Sequence, residues 1–296
     1  MKQRKKINFS HLHPLLISLL LFPLGNDSLK AQILAGDSWA SVKQYKKGTI
    51  LLTYIKTPGL AYKNTDGNLE GLCFDIVKEF SNYLNTTYGI SLRIRVLPET
   101  KDFKQFLENI RTARGGVFGL GNITITQERE QTFDFSPSFL NNLTFILTHS
   151  SIPELSSLRL IGQQFKGMKA VTVKGSTNEK VILQIKQKYF PNLPIVYVPS
   201  SGTALTKVVS DNRSFTSLDF NYYAEALKYN LSVRRHPPGD LYSEKFGFIM
   251  PNNSDWQGVW REFLVENNFK RSSTYRKILI KHLGLSAVKA LERFGE

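Results

Sequence analysis

Short β-branched and aromatic runs alternate with amphipathic stretches along this chain, in two series separated by a loose Ser/Pro segment. In the first series, Gly48 to Tyr54 reads as a buried strand of the parallel type. Asn64-Thr65-Asp66-Gly67-Asn68 is a turn signal, and a helix opens at Gly71 and runs to about Leu84. Ser91 to Leu97 alternates Leu92, Ile94 and Val96 with Arg93 and Arg95, as a strand does. Asp102 to Arg111 carries Phe103, Phe106, Leu107 and Ile110 on one helical face. Leu143 to Thr148 reads as a further strand before the loose segment. The second series follows as strand Ala170–Val173, a helix from Glu179 to about Lys188, strand Ile195–Val198 and helix Gly202–Val209. Extended Phe215–Asp219 and helix Tyr222–Tyr229 close that series. Strand–helix–strand order predicts mostly parallel sheets flanked by helices. Phe246 to Met250 reads as a return crossing, after which helices Trp256–Asn267, Tyr275–Leu283 and Ser286–Phe294 complete the first layer. The expected fold is therefore two-lobed α/β. Lobe 1 is discontinuous (32–147 plus 243–296), lobe 2 is 148–242, and the hinge is a pair of crossing strands near Leu147 and Phe246.

The N-terminus has a separate character. Lys2-Gln3-Arg4-Lys5-Lys6 is a basic segment, an apolar core from Leu15 to Leu24 follows, and a polar stretch ends in Leu29-Lys30-Ala31. This is the layout of a secretory signal peptide, with an apolar part too short to span a bilayer. Cleavage is expected after Ala31, with Ala35 the alternative. The single cysteine, Cys73, lies far from that point, so a lipid-accepting cysteine is missing there and a released periplasmic protein is expected. Cys73 itself reads as a small buried hydrophobe. The formal charge of +15 falls to about +11 once residues 1–31 are removed. These positive residues are interleaved with acids and form no dense basic helix, which speaks for a solvated basic surface and against nucleic-acid binding.

Chemistry concentrates in Gly121-Asn122-Ile123-Thr124-Ile125-Thr126-Gln127-Glu128-Arg129, followed by Phe133-Asp134-Phe135-Ser136. An extended run meets a helix start here, with Thr126 as candidate N-cap. Backbone amides, hydroxyls and a guanidinium fork thus converge where a carboxylate is well held. A second strand-to-helix turn, Lys174-Gly175-Ser176-Thr177-Asn178, offers another set of donors, though it lacks the length and lysine of a phosphate-binding loop. Asp219 ends the Phe215 strand, where an aspartate can cap the next helix.

These segments resemble the bacterial extracellular solute-binding proteins of family 3, the polar amino-acid-binding proteins with the type 2 periplasmic-binding fold. In that family a Gly-x-Thr-Ile-Thr-x-x-Arg segment followed by Asp-Phe-Ser grips the α-carboxylate. The resemblance runs from about Gly48 to Leu264. It implies carboxylate binding by Asn122, Thr124 and Arg129, with Ser176 and Thr177 closing from the other lobe and Asp219 taking the ammonium. Tyr62 is the expected apolar wall, with Leu60 and Phe103 as further candidates. Leu60 and Asn122 depart from the family's commoner aromatic and small residues. The implied function is capture of an amino acid or small carboxylate by a monomer that hands it to an ABC-type membrane permease, without cofactor or metal.

Enzyme chemistry finds less support. Beyond residue 31 the histidines are His149, His236 and His282, without zinc-site spacing, and no Gly-x-Ser-x-Gly elbow occurs. The same fold serves periplasmic cyclohexadienyl-type dehydratases, which is the enzyme alternative. It also serves as a regulatory module ahead of the lysozyme-like domain of lytic transglycosylases; this sequence ends about where that domain would begin.

Overall fold

The computed structural model describes residues 33–294. The expected signal segment, residues 1–31, lies outside the described residues. Two mixed sheets organise the chain. The first has the order Ser91–Val96, Lys47–Tyr54, Val117–Leu120, Ile249–Pro251, Phe133–Phe135. Its first three strands are parallel, with Ile50 opposite Ile94 and Leu52 opposite Phe118. The last two pairings are antiparallel. The second sheet runs Val233–Arg235, Leu140–His149, Ser214–Asp219, Lys169–Val173, Ile195–Val198, and Leu241–Phe246 extends the Val233–Arg235 edge. Here too three strands are parallel and the pairings on Leu140–His149 are antiparallel. Each sheet is thus parallel where a helix crosses over and antiparallel where the chain returns directly.

Helix Leu72–Tyr88 shows why the first layer holds. Leu72, Ile76, Phe80 and Leu84 recur every four residues and are buried, and the helix stops at Gly89 in the left-handed region. Its first residue follows Gly71, whose φ of 123° and whose missing Cβ, 2.3 Å from the Leu60 carbonyl, leave room for no side chain. Phe80 stacks on Trp260 with ring centroids 3.8 Å apart, and Trp256 and Phe118 pack edge-on around them. The C-terminal segments thereby share the first layer's core. Helix Ser273–Leu283 is also tied down through Asp75, which accepts from Lys281 Nζ (2.8 Å) and His282 Nε2 (2.7 Å).

The crossing between the sheets lies upstream of the expected position near Leu147. Leu140–His149 belongs wholly to the second sheet, so the chain leaves the first sheet between Phe135 and Leu140. It returns at Phe246–Phe248. The two segments are bonded to each other, Phe139 N to Phe246 O and Ser136 N to Phe248 O at 2.9 Å, and Phe248 N donates to Ser136 Oγ at 2.9 Å. The apolar pattern of Leu140 to Leu147 is continuous on both sides of the crossing, which is why it does not mark the change of sheet.

Candidate functional site

Gly121 lies just beyond strand Val117–Leu120 with φ 149°, where a Cβ would crowd Ile55 and Thr57. Ile123 to Ile125 then lie alongside the returning segment: Ile125 N donates to Lys245 O (2.8 Å) and Gly247 N to Ile123 O (3.1 Å). This pins the run before Thr126, whose Oγ1 accepts from Arg129 N at 3.2 Å as the expected N-cap. Arg129 projects back over the run, with Nη1 donating to Thr124 O (2.9 Å) and Nη2 to Gly175 O of the other lobe (3.3 Å). Its guanidinium sits 5.5 Å from the Phe103 ring centroid. Two of five N–H donors are used in this way, and the rest of the fork is available to a bidentate acceptor.

Across the cleft, Ser176 caps the twelve-residue helix Thr177–Lys188, accepting from Glu179 N at 3.1 Å. Its hydroxyl also donates to Val173 O (2.7 Å), and its amide to the same carbonyl at 3.2 Å. Ser176 therefore spends its polar groups on the turn. The first-turn amides of Thr177 and Asn178, which have no intrahelical acceptor, carry the local positive potential. The Thr177 and Thr124 hydroxyls lie 3.4 Å apart, one from each lobe.

Asp219 is 2 % exposed and makes no cap bond to helix Phe220–Lys228. Its carboxylate is instead held by side-chain amides drawn from distant parts of the chain. Asn142 Nδ2 donates at 2.7 Å and Asn178 Nδ2 at 3.5 Å to Oδ1, and Asn122 Nδ2 donates to Oδ2. Asn142 Nδ2 also reaches Glu244 Oε2 at 2.7 Å, which brings a second carboxylate close. Burial raises the Asp219 acid above the ordinary carboxylate range, Glu244 raises it further, and the three amides pull the other way.

Arg129 and Asp219 line one cavity together with Ile55, Phe103, Asn122, Val173, Ser176, Thr177, Asn178, Ser201 and Tyr222; the enclosed space is about 20 Å³. The structure thus brings together Asn122, Arg129, Ser176, Thr177, Asp219 and Phe103, with Thr124 at their edge. Leu60 and Tyr62 lie elsewhere. Leu60 is fully buried in the first-layer core, and Tyr62 lines a separate groove, its ring 6.5 Å from that of His282. Ile55 and Tyr222 form the apolar wall in their place. The Tyr222 hydroxyl is hydrogen-bonded with the Ser201 and Thr57 side chains, and burial raises its acid above the ordinary value. Asn142, Asn178 and Glu244 were not legible as site residues. Asn142 and Thr144 do interrupt an apolar strand, and polar side chains on a buried strand are a signal in retrospect.

The chain matches the family described as bacterial extracellular solute-binding proteins, family 3, over residues 50–284, and it belongs to that family. Solved structures agree on the fold, the type 2 periplasmic-binding architecture. An ancestral arginine-binding protein bound to glutamine is 21% identical, with a TM-score of 0.64 and coverage of 80% of this chain and 98% of that one. The arginine-, lysine-, histidine-binding protein ArtJ from Geobacillus stearothermophilus is 20% identical, with a TM-score of 0.64 and coverage of 80% and 95%. The ancestral amino acid-binding protein AncCDT-1, a precursor of cyclohexadienyl dehydratase, is 18% identical, with a TM-score of 0.64 and coverage of 82% and 98%. No curated protein sequence matches the chain.

Proposed function

We propose that the protein captures an α-amino acid or a similar small carboxylate by closing its two lobes on it, and delivers it to an ABC-type permease. The observation that carries this reading is that Arg129 and Asp219, from opposite lobes, line one cavity. A zwitterion brings the two charges that such a pair complements. Arg129, the Thr124 region and the first-turn amides of Thr177 and Asn178 would hold the carboxylate, and Asp219 the ammonium. Each hydrogen bond to a charged group is worth roughly 1.5–3 kcal/mol net. Four such bonds, less the cost of closure and ordering, correspond to about micromolar affinity or better. The closed space of about 20 Å³ accommodates little more than a water. A ligand would therefore enter with the lobes parted, by bending at the paired segments near Phe139 and Phe246.

Binding, rather than turnover, is the reading favoured by the family and by the descriptions of the relatives. Export and cleavage after Ala31 belong to the same proposal, as does a periplasmic location. Among the described residues no helix is long and apolar enough to cross a membrane. N-terminal sequencing of the processed protein tests the export step: an intact Met1 in a cytosolic fraction contradicts it. A thermal-shift screen against all proteinogenic amino acids and their carboxylate analogues tests the binding step, and a protein whose melting temperature no ligand raises contradicts it.

A further inference from the structure

Asn122 stands at the one place where the two ligand-facing charges are not symmetrical. Arg129 keeps donors in reserve, whereas the Asp219 oxygens are already engaged by protein amides. Two of those amides, Asn142 and Asn178, come from the second sheet's own lobe. The third comes from across the cleft. Asn122 follows the first-sheet strand Val117–Leu120, while Asp219 ends Ser214–Asp219 of the second sheet. The Asn122 side chain is also aimed: its Oδ1 accepts from Thr57 Oγ1 at 3.2 Å, which turns Nδ2 toward Asp219 Oδ2. Thr57 is fully buried and its one hydroxyl hydrogen is shared between Asn122 Oδ1 and Ile55 O, the latter 3.0 Å away, so the contact that aims Asn122 comes from within the first lobe.

We propose that Asn122 is a specificity-determining residue, whose amide occupies on Asp219 the position a ligand's α-ammonium must take. The inference rests on the reading of Asp219 as the ammonium site. A ligand with an α-ammonium has to displace the Asn122 amide, and the gain is only the difference between an ion pair and an amide–carboxylate bond. A ligand without the ammonium leaves the Asn122–Asp219 bridge intact and forfeits nothing there. Asn122 therefore narrows the preference for amino acids over their desamino carboxylates. It also links the lobes when no ligand is present, alongside the Thr124–Thr177 and Arg129–Gly175 contacts. A serine at this position is too short to bridge to Asp219 and restores the full ion-pair gain.

The test compares the parent with Asn122→Ser, with Asn122→Ala as a second variant should the first fold poorly; both should melt cooperatively. Each α-amino acid that binds in the screen is titrated by calorimetry beside its desamino counterpart, for example L-glutamine beside 4-carbamoylbutanoate. In Asn122→Ser the amino acid should bind about tenfold tighter, the size of one such bond, while the desamino acid stays within about twofold. Small-angle scattering without ligand should show the variant more expanded than the parent. An unchanged ratio of the two affinities overturns the proposal, whatever the scattering shows. Failure of the underlying reading looks different: neither chain then binds any amino acid or carboxylate, and the proposal falls with it.

Discussion

Arg129 and Asp219 face the same cavity from opposite lobes, yet they are held by different means. The arginine side is local: Thr124, Thr126 and Arg129 sit within six consecutive residues, and the cap and the backbone fix the guanidinium. The aspartate side is assembled from afar, by Asn122, Asn142 and Asn178, with Glu244 beyond them. The first arrangement leaves a partly buried guanidinium with donors in reserve. The second buries a charge among neutral dipoles, so its removal strands polar groups that water cannot reach. Ligand affinity should therefore depend on both sides, but stability on one.

The largest effect is expected at Arg129. Arg129→Ala should lower affinity about a hundredfold or more by removing two charge-assisted bonds, and leave the melting temperature nearly unchanged. Titration calorimetry and a melting curve on one sample check both halves. A large loss of stability would show that the guanidinium's bonds to Thr124 O and Gly175 O matter to the fold, and would erase the contrast. Asp219→Ala should cost about 1–3 kcal/mol of unfolding free energy, because the buried Asn178 amide loses this acceptor and Asn142 is left with Glu244 as its one carboxylate partner. Urea unfolding reads this directly, and a stability equal to that of the parent would make the two sides alike.

Acid sharpens the comparison within the second lobe. His236 is fully buried, accepts from Leu155 N at Nδ1 (2.9 Å) and donates from Nε2 to Thr148 Oγ1 at 2.7 Å. Desolvation by burial, with a smaller push from Arg234, lowers its pKa to about 4. The unfolded chain, with histidine near 6.5, then binds the extra proton first, so stability falls as pH drops from about 6.5 toward 4, by about 2–3 kcal/mol. His236→Gln should flatten that slope in urea midpoints taken across the range. Asp219 has the opposite sign: its acid is raised, so the folded chain takes up protons more readily there and that group favours the fold on acidification. The Asp219→Ala protein should accordingly lose stability more steeply in acid than the parent. The smallest effects are expected away from the cavity. Tyr62→Ala and Arg111→Ala should each change affinity by less than about twofold, since Tyr62 lines another groove and Arg111 is paired with Glu108 on the surface.

The same contrast decides what the sequence could reveal. Many strands and helices of both layers follow from apolar spacing, though Val117–Leu120, Val233–Arg235 and Leu241–Phe246 do not, and the Gly121–Arg129 segment announces itself because its donors are contiguous. Ser176 and Asp219 are legible only as ends of strand-to-helix turns. Their functions then part: the Ser176 hydroxyl is consumed by its cap, while Asp219 makes no cap bond and faces the cavity. Asn142 and Glu244 meet Asp219 through pairing of strands far apart in the chain, and Asn178 reaches it from the first turn of helix Thr177–Lys188, which no local pattern encodes. The family resemblance implies Leu60 and Tyr62 at the cavity wall, and the structure places neither there. The two-strand hairpin Tyr62–Lys63 with Leu69–Glu70 turns the tyrosine toward His282, and Leu60 packs beneath Gly71.

On the proposed reading, two opposite charges from two lobes clamp one zwitterion. The most direct measurement is calorimetric titration of the parent, Arg129→Ala and Asp219→Ala with a bound amino acid and with its desamino counterpart. Arg129→Ala should lose both ligands, whereas Asp219→Ala should lose the amino acid and keep the desamino acid close to the parent's affinity. Equal losses of the two ligands in Asp219→Ala, or full binding of either by Arg129→Ala, would contradict the account.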